Sequence, residues 1–370
     1  MEPKIGTLSI KGFRVFRALK IEGLGRVNLI TGQNNTGKSS VLEALRLLAS
    51  NASRLDIRDI LRSREEGPGE NEASAGLLDP TGRIPWCSLF HGFPDLAADA
   101  EAIVITSNGS RCPLELSLRS VWVSEKQASD GSRKVASNPQ EFLDDGEALP
   151  TLSITAGGLQ RLLPYDFLHP SRIFRSEGGE PALPCVFVSP YGGERTATLG
   201  SLWDKIALSD RENDVVDALR IISTDIAKVS MIGGEGPRQT RTAIVRSDSL
   251  PRPVPLRSFG DGLNRLFGIA LSLVNAKDGL LLIDEFENGM HHTVQTDVWR
   301  AVFKLATRLD IQVVATSHSW DAVEAFQQAA SETPAEGVLV RLSRKGEDII
   351  PTVFREEELA IATRDHIEVR

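Results

Sequence analysis

The residues from Gly32 to Ser39 match the complete phosphate-loop pattern GxxxxGK[ST]. An apolar run from Val27 to Ile30 precedes the loop, and apolar residues at helical spacing follow it. In this setting, glycines let backbone N–H groups surround phosphates, and the positive end of the next helix faces the same anion. We expect Lys38 to reach the outer phosphates and Ser39 to hold Mg²⁺. The pattern predicts a nucleotide site formed by Gly32, Gln33, Asn34, Asn35, Thr36, Gly37, Lys38, Ser39 and Ser40.

Length and composition fit a globular protein with a substantial core, because 41% of the 370 residues are hydrophobic. No stretch approaches the roughly 18 to 20 consecutive apolar residues of a membrane span, and the N-terminus has no long apolar signal core. We therefore expect a cytoplasmic protein without a membrane segment. Cys87, Cys112 and Cys185 lie far apart without a CxxC pair, so the sequence predicts neither a disulfide framework nor a zinc site.

The net charge of −8 disfavours a protein coated for bulk nucleic-acid binding. Two local clusters of basic residues leave direct contact with DNA or RNA open, as an alternative to a solvated surface. One cluster lies near the N-terminus and the other in a later segment: Arg14, Arg17 and Lys20, then Arg238, Arg241, Arg246, Arg252 and Arg257.

The patterns along the chain divide it into three segments. Residues 1–125 contain predicted strands around the phosphate loop and form the first half of a nucleotide-binding unit. A polar, turn-rich stretch from Ser124 to Pro150 and an amphipathic helix over Asp210 to Ile226 predict a partly helical insertion over residues 126–235. Residues 236–370 alternate helices with short apolar strands, which is typical of an α/β fold with a mostly parallel sheet covered on both faces.

A buried strand ending in two acids is the second element of the predicted site. The apolar run from Leu280 to Ile283 leads directly into Asp284 and Glu285. At the C-terminal edge of a parallel sheet these carboxylates can meet the metal and the water of a bound nucleotide. Asp284 suits the Mg²⁺ shell, and Glu285 suits the base or orienter of an attacking water.

Two further motifs accompany the strand. Ser258, Gly260 and Gly262 precede or begin a predicted helix, where a serine and glycines form a seat for an anion. The sequence Thr-Ser-His ends a predicted strand, and its histidine, His318, can donate a hydrogen bond to a phosphate oxygen.

The order of these motifs resembles the ATPase head of ATP-binding-cassette (ABC) proteins, in particular the branch of SMC, recombination-repair and overcoming-lysogenisation-defect (OLD) ATPases. The sequences SFGDGLNRLF from Ser258, IDEFENGMH from Ile283 and TSHSW from Thr316 are most similar to stand-alone OLD-like ATPases of bacteria. The resemblance covers residues 1–60 and 200–370, and it is weak in between.

The resemblance implies a mostly parallel central sheet flanked by helices, an antiparallel β subdomain and an inserted arm. It implies ATP and Mg²⁺ as cofactors, Ser258, Gly260 and Gly262 as the signature motif, and His318 as the switch histidine. In such heads the signature of one subunit closes on ATP held by the other, so we expect a homodimer with two shared sites, open to higher assembly. In this chain Phe259 follows the signature serine. The Q-loop glutamine stays unassigned among Gln127, Gln140 and Gln160.

The resemblance also frames the expected function. Long OLD proteins carry a Toprim nuclease after the ATPase, but residues 319–370 contain no Asp-x-Asp pair, so we expect no nuclease activity from this chain. The leading hypothesis is an ATPase that senses or regulates together with a separately encoded effector, such as a Toprim-type or other nuclease, in anti-phage defence or DNA maintenance. The alternatives are an ATP-dependent nucleic-acid clamp without an effector, and the nucleotide-binding subunit of a transporter.

Overall fold

The computed structural model of the chain describes residues 3–67, 84–94, 101–109, 113–128, 131–137, 149–164, 180–190, 196–233, 241–333 and 336–364. Its strands and helices, numbered in chain order, are β1 (Thr7–Phe13), β2 (Phe16–Glu22), β3 (Val27–Gly32), α1 (Lys38–Ala49), α2 (Arg54–Ser63), β4 (Ile103–Asn108), β5 (Leu114–Ala128), β6 (Gly131–Ser137), β7 (Leu149–Ala156), β8 (Leu159–Pro164), β9 (Cys185–Val188), α3 (Thr196–Asp204), α4 (Arg211–Leu219), β10 (Ile226–Ile232), β11 (Thr242–Ser247), β12 (Val254–Pro255), α5 (Asp261–Asn275), β13 (Leu280–Ile283), α6 (His292–Arg308), β14 (Gln312–Thr316), α7 (Trp320–Ser331), β15 (Gly337–Lys345), β16 (Asp348–Phe354) and α8 (Glu356–Arg364).

A mainly parallel sheet forms the centre of the fold. Its strands run in the order β16-β15-β3-β14-β13-β9, and every neighbouring pair is parallel except β15 and β16. Every residue of β3, β13 and β14 is buried, as expected for strands with helices on both faces. The predicted α/β fold with a mostly parallel sheet is confirmed.

The two faces of this sheet belong to two different hydrophobic cores. In β13, Leu280 and Leu282 pack in one core with α1, whereas Leu281 and Ile283 pack in the other with α5 and α6. The alternation follows from strand geometry, because successive side chains point to opposite faces.

A second, antiparallel sheet covers the α1 side. It runs in the order β2-β1-β4-β5-β7-β8, and β6 pairs with the end of β5. Its buried residues Leu8, Ile10 and Ile105 share the core of α1. The end of β5 and all of β6 lie within residues 124–150, so the expectation of turns there is wrong for this part. The two strands are joined by backbone pairing, and their residues do not alternate between apolar and polar as a half-buried strand does.

The segment 126–235 contributes to several layers of the fold. Its strands β7 and β8 extend the antiparallel sheet, and β9 is an edge strand of the parallel sheet. The division of the chain at residues 125 and 235 stays a prediction. The helix expected over Asp210 to Ile226 is too long: α4 ends at Leu219, and Ile226 begins β10.

A cluster of side-chain hydrogen bonds lies between the end of α4 and β10. The Oδ2 atom of Asp225 accepts hydrogen bonds from the hydroxyls of Ser247 and Ser249, and its Oδ1 accepts one from Ser223 Oγ at 2.7 Å. These bonds connect the turn before β10 to the residues at and just after the end of β11.

Among the helices that the structure describes, none combines the length and the apolar character that crossing a membrane requires.

Candidate functional site

The phosphate loop joins the end of β3 to the start of α1 in a conformation that requires glycine. The backbone angle φ is 143° at Gly32, 63° at Asn35 and 88° at Gly37. A Cβ atom at Gly32 would lie 2.4 Å from the carbonyl oxygen of Leu342, and one at Gly37 would lie 2.5 Å from Cζ of Phe16. Both positions therefore combine a left-handed backbone with a close approach that only glycine allows.

Lys38 closes over the loop that precedes it. Its Nζ donates hydrogen bonds to the carbonyl oxygens of Gly32 at 2.7 Å and Gln33 at 3.1 Å. Burial is the main cause that lowers the pKa of Lys38, and three neighbouring carboxylates oppose that shift: Asp284, Glu287 and Glu285. The ammonium group thus lies beside the acidic end of β13.

The remaining residues of the loop differ in exposure. Gln33, Asn34 and Asn35 are exposed at its tip. Thr36 is buried, and its hydroxyl donates to the carbonyl oxygen of Gln33 at 2.8 Å. Ser40 is buried in the first turn of α1, where its Oγ accepts a bond of 3.4 Å from Arg64 Nη2.

Asp284 brings the ends of three adjacent strands together. Its Oδ1 accepts a hydrogen bond from Ser39 Oγ at 3.1 Å and another from Thr316 Oγ1 at 2.6 Å. Ser39 follows β3 and Thr316 ends β14, so the parallel order β3-β14-β13 delivers all three residues to one edge. The motif Thr-Ser-His includes Thr316, but the sequence did not predict the hydrogen bond between its hydroxyl and Asp284.

Glu285 has its own supports in this edge. Its φ is 47°, an uncommon value for a residue other than glycine, and its backbone N–H donates to Thr316 Oγ1 at 2.9 Å. Asn288 Nδ2 donates to Glu285 Oε2 and also to the carbonyl oxygen of Pro190 at 2.8 Å. The half-buried carboxylate is therefore held at the sheet edge beside Asp284.

His318 lies at the same edge and contacts a residue that sequence analysis did not single out. The Oε1 atom of Glu287 is 3.0 Å from the backbone N of His318, which donates to it, and 3.1 Å from the ring Nδ1. A second carboxylate two residues after Glu285 was the only sequence signal for this contact.

The predicted signature residues lie on a different element from the phosphate loop. Ser258 is exposed in a 3₁₀ turn (Leu256–Phe259), and Gly260, also exposed, precedes α5 with φ of 99°. Gly262 is in the first turn of that helix. In the described part of the chain, the hydrogen bonds of Lys38 and Ser39 involve no signature residue.

A buried arginine connects the signature helix to the acidic strand end of the same chain. Arg265, one turn into α5, donates from Nη2 to the carbonyl oxygens of Asp284 and Glu285, each at 3.3 Å. Its Nη1 donates to the carbonyl oxygen of Ser189 at 2.9 Å. The start of α5 is thus fixed to the backbone of both acids.

The three glutamines considered for the Q-loop gain no support. Gln160 lies on β8 and donates to Ser153 Oγ at 2.9 Å within the antiparallel sheet. Gln127 is near the end of β5, and Gln140 lies outside the described residues.

Comparisons with known proteins agree with these observations. Residues 4–105 match a family model described as an AAA ATPase domain, and residues 191–323 match one described as an AAA domain, putative AbiEii toxin, type IV toxin–antitoxin system. A protein of Helicobacter pylori named ATP/GTP phosphatase is 22% identical over 387 residues, covering 96% of each chain. An uncharacterised protein of Methanocaldococcus jannaschii is 56% identical over 46 residues, which cover 12% of this chain and 21% of that protein.

The fold also has solved counterparts. The structure of an SMC head bound to the C-terminal winged-helix domain of ScpA aligns with a TM-score of 0.53 at 11% identity, covering 96% of this chain and 99% of that one. The chain therefore has the mixed α/β fold of an SMC or ABC ATPase head. Together with the two ATPase-domain matches, this makes it similar to P-loop ATPases of the ABC/SMC type.

Proposed function

We propose that this chain binds Mg²⁺ and ATP, hydrolyses the ATP at a site completed by a second copy, and thereby regulates a separately encoded effector. The proposal depends on the hydrogen bonds that Ser39 and Thr316 donate to Asp284, next to Lys38. One lysine ammonium, two hydroxyls and one carboxylate therefore lie close together where α1 begins.

The residues present fit the nucleotide and its metal. Gly32 and Gly37 have left-handed backbone angles at positions where a Cβ atom would clash with the chain's own atoms, so glycine permits the tight loop whose backbone can surround phosphates. Ser39 Oγ and Asp284 Oδ1 are oxygen donors of the kind that Mg²⁺ prefers, and they are 3.1 Å apart. When bound, Mg²⁺ neutralises charge on the outer phosphates.

The protein groups have separate tasks in this proposal. Lys38 exchanges its two loop carbonyls for phosphate oxygens, and Thr316 keeps Asp284 oriented. Glu285, held by Asn288, orients the attacking water, and His318 contacts the outer phosphate.

The exposed position of the signature supports a shared site. Ser258 and Gly260 face solvent, and a side chain at Gly260 would point into space that the described residues outside its own turn leave open. A small hydroxyl and bare backbone at a helix start can receive the phosphates of another subunit. Two-fold pairing of identical chains then gives two equivalent sites.

The proposed effector is a separately encoded protein such as a Toprim-type or other nuclease, acting in anti-phage defence or DNA maintenance. The toxin–antitoxin description of the model matching residues 191–323 favours a system of two components. The SMC head that shares this fold is itself bound to a partner domain. A nucleic-acid clamp without an effector is the second candidate, since Arg246, Arg252 and Arg257 are exposed near the signature.

Two assays test the proposal. Phosphate release from ATP should need Mg²⁺, and the rate per chain should rise with protein concentration as dimers form. Glu285→Gln protein held with ATP should then co-purify the effector from cells that express the neighbouring genes. An absence of Mg²⁺-dependent hydrolysis would contradict the enzymatic part. Tight DNA binding that weakens steeply with salt, without any co-purified protein, would favour the clamp.

A further inference from the structure

A second glutamate of the acidic segment is bound to the histidine at the sheet edge. Glu287 follows the end of β13, and His318 follows the end of β14, which is the next strand in the sheet. One oxygen of Glu287 contacts both the backbone N–H of His318, at 3.0 Å, and the ring Nδ1, at 3.1 Å. The backbone hydrogen bond holds the chain at His318, and the 3.1 Å contact places the ring Nδ1 beside the carboxylate.

The surroundings of this pair are unequal. The Glu287 side chain is 9% exposed and the His318 side chain is 52% exposed. The second carboxylate oxygen, Oε2, is buried without a hydrogen-bond partner among the described residues. Burying a carboxylate with half of its acceptors unused is costly, so this arrangement calls for a role that a solvated glutamate would not fill.

The two glutamates of the segment have different partners. Glu285 is bonded by Asn288, whereas Glu287 is bonded by His318. Because the carboxylate lies against Nδ1, the nitrogen that remains for other contacts is Nε2. Which nitrogen of a histidine carries the proton is set by the bond that the other nitrogen makes.

We propose that Glu287 is a positioning residue, which accepts the Nδ1–H of His318 and so presents Nε2 to the nucleotide. The first half of this inference concerns the protein alone, and the second half rests on the proposed ATPase function. An acid that orients a histidine through Nδ1 in this way is a known device of hydrolytic sites.

The protein without nucleotide tests the first half. We would label the histidines with ¹⁵N and record the two-bond ¹H–¹⁵N correlations of the rings at about pH 8, where an ordinary histidine is neutral. The chain has 6 histidines, and His318→Gln identifies the signal of His318. We expect the Nδ1–H tautomer in the wild type and the Nε2–H tautomer, which free imidazole side chains prefer, in Glu287→Ala.

Glu324→Ala is the matched control, because Glu324 is a carboxylate on α7 that accepts a bond from Trp320 rather than from a histidine. The tautomer of His318 should stay unchanged in this variant. An Nε2–H tautomer of His318 in the wild type would overturn the proposal, whether or not the protein hydrolyses ATP.

Kinetics test the second half with Glu287→Gln, which keeps the shape of the side chain. We expect kcat to fall by about 10- to 100-fold, the scale for outer partners of site histidines, with little change in KM for ATP. The same change should have no further effect once His318 is replaced by Ala. An equal loss in both backgrounds would show that Glu287 acts independently of His318 and would overturn the proposal. If the wild type does not hydrolyse ATP, the proposed function fails and the tautomer measurement alone decides the role of Glu287.

Discussion

Asp284 connects the elements of the site by accepting their hydrogen bonds. One of its oxygens accepts bonds from Ser39, in the first turn of α1, and from Thr316, the last residue of β14. Its side chain is nearly buried, with 7% of the residue exposed. Small changes in the hydroxyls around it will therefore alter the place where we expect Mg²⁺.

Lys38→Ala tests the nucleotide site at the residue scale. We expect nucleotide binding to be lost, because in the proposed site Lys38 supplies the positive charge that faces the phosphates. Titration with a fluorescent ATP analogue measures this. Lys304→Ala, an exposed lysine on α6, should bind as the wild type does. Unchanged affinity in Lys38→Ala would remove the site assignment.

Glu285→Gln separates binding from hydrolysis. The amide keeps the shape of the side chain but cannot take a proton, so ATP should still bind while kcat falls by about 10² or more, the scale for losing a general base. Glu347→Gln, at an exposed turn, serves as the control and should keep full activity. A wild-type rate in Glu285→Gln would assign the base to another residue.

Sequence reasoning found the residues of the site that belong to contiguous motifs. Ser39 and Asp284 were expected to share a metal, and the structure places their oxygens 3.1 Å apart. The role of Thr316 and the pairing of Glu287 with His318 were not predicted. Both depend on which strands are neighbours in the sheet, and no local pattern encodes that order.

The phosphate loop and the β1–β2 turn form one packed element. Gly37→Ala would place a methyl group 2.5 Å from Phe16 and 2.6 Å from Val15 in a left-handed backbone. We expect the free energy of unfolding to fall by roughly 2–5 kcal/mol, because the cost of overpacking adds to the cost of backbone strain. Gly346→Ala is the matched control, because φ there is 66° but nothing lies within 4 Å. It should lose only about 1–2 kcal/mol. Equal losses in urea denaturation would contradict the packing argument.

An ion-pair cluster joins the chain's N-terminal residues to the turn between α6 and β14. Asp310 accepts a hydrogen bond from Lys4, which is the main cause that lowers the pKa of Asp310, and another from Arg26 at 3.2 Å. A lowered pKa in the folded state stabilises the protein above the unfolded value of about 3.9, and this stabilisation disappears as the pH falls through the folded value.

Asp310→Asn should therefore cost roughly 1–3 kcal/mol in the free energy of unfolding at pH 7. The difference from the wild type should shrink below about pH 4. Asn tolerates the φ of 50° at this position, so the change removes charge without adding strain. Asp348→Asn, which breaks an exposed pair with Arg17, should cost less than about 1 kcal/mol. A difference for Asp310→Asn that stays constant with pH would refute the linkage.

Elements with strong periodicity were predictable, and those defined by pairing were not. The helices α5 and α6 and the strands β3, β13 and β14 follow from apolar spacing in the sequence. The end of β5 and the whole of β6 carry no such signal, because their residues are largely polar. The edge strand β9 is a short apolar run, Cys185–Val188, and spacing alone does not identify such a run as a strand. The prediction for α4 was too long, because the apolar spacing continues past Leu219 through Ile222 to Ile226, which is the first residue of β10.

At the scale of the whole molecule, the predicted signature residues Ser258 and Gly260 are exposed, whereas the helix that follows them carries the buried Arg265. Arg265 bonds α5 to the carbonyl oxygens of Asp284 and Glu285. In the proposed dimer, the helix that follows Ser258 is therefore bonded to the backbone of this chain's own two acids.

The central claim is that each active site combines the phosphate loop of one chain with the signature of another. Ser258→Arg places a bulky cation in the signature and leaves the phosphate loop intact, so this variant should bind ATP without hydrolysing it. Lys38→Ala has the opposite defect. After exchange of subunits, the mixture should regain roughly a quarter of the wild-type rate per chain, because half of the dimers are mixed and each has one complete site.

A mixture of Lys38→Ala with Glu285→Gln is the control. Lys38 and Glu285 both belong to the phosphate-loop side of a site, so each site of a mixed dimer contains one of the two defects. This mixture should therefore stay inactive although the same mixed dimers form. The decisive measurement is therefore the ATP hydrolysis rate of the Ser258→Arg and Lys38→Ala mixture, with light scattering to verify dimers. Recovery in this mixture alone is the result we predict. An inactive mixture with mixed dimers present, or full activity of Ser258→Arg by itself, would contradict the shared site.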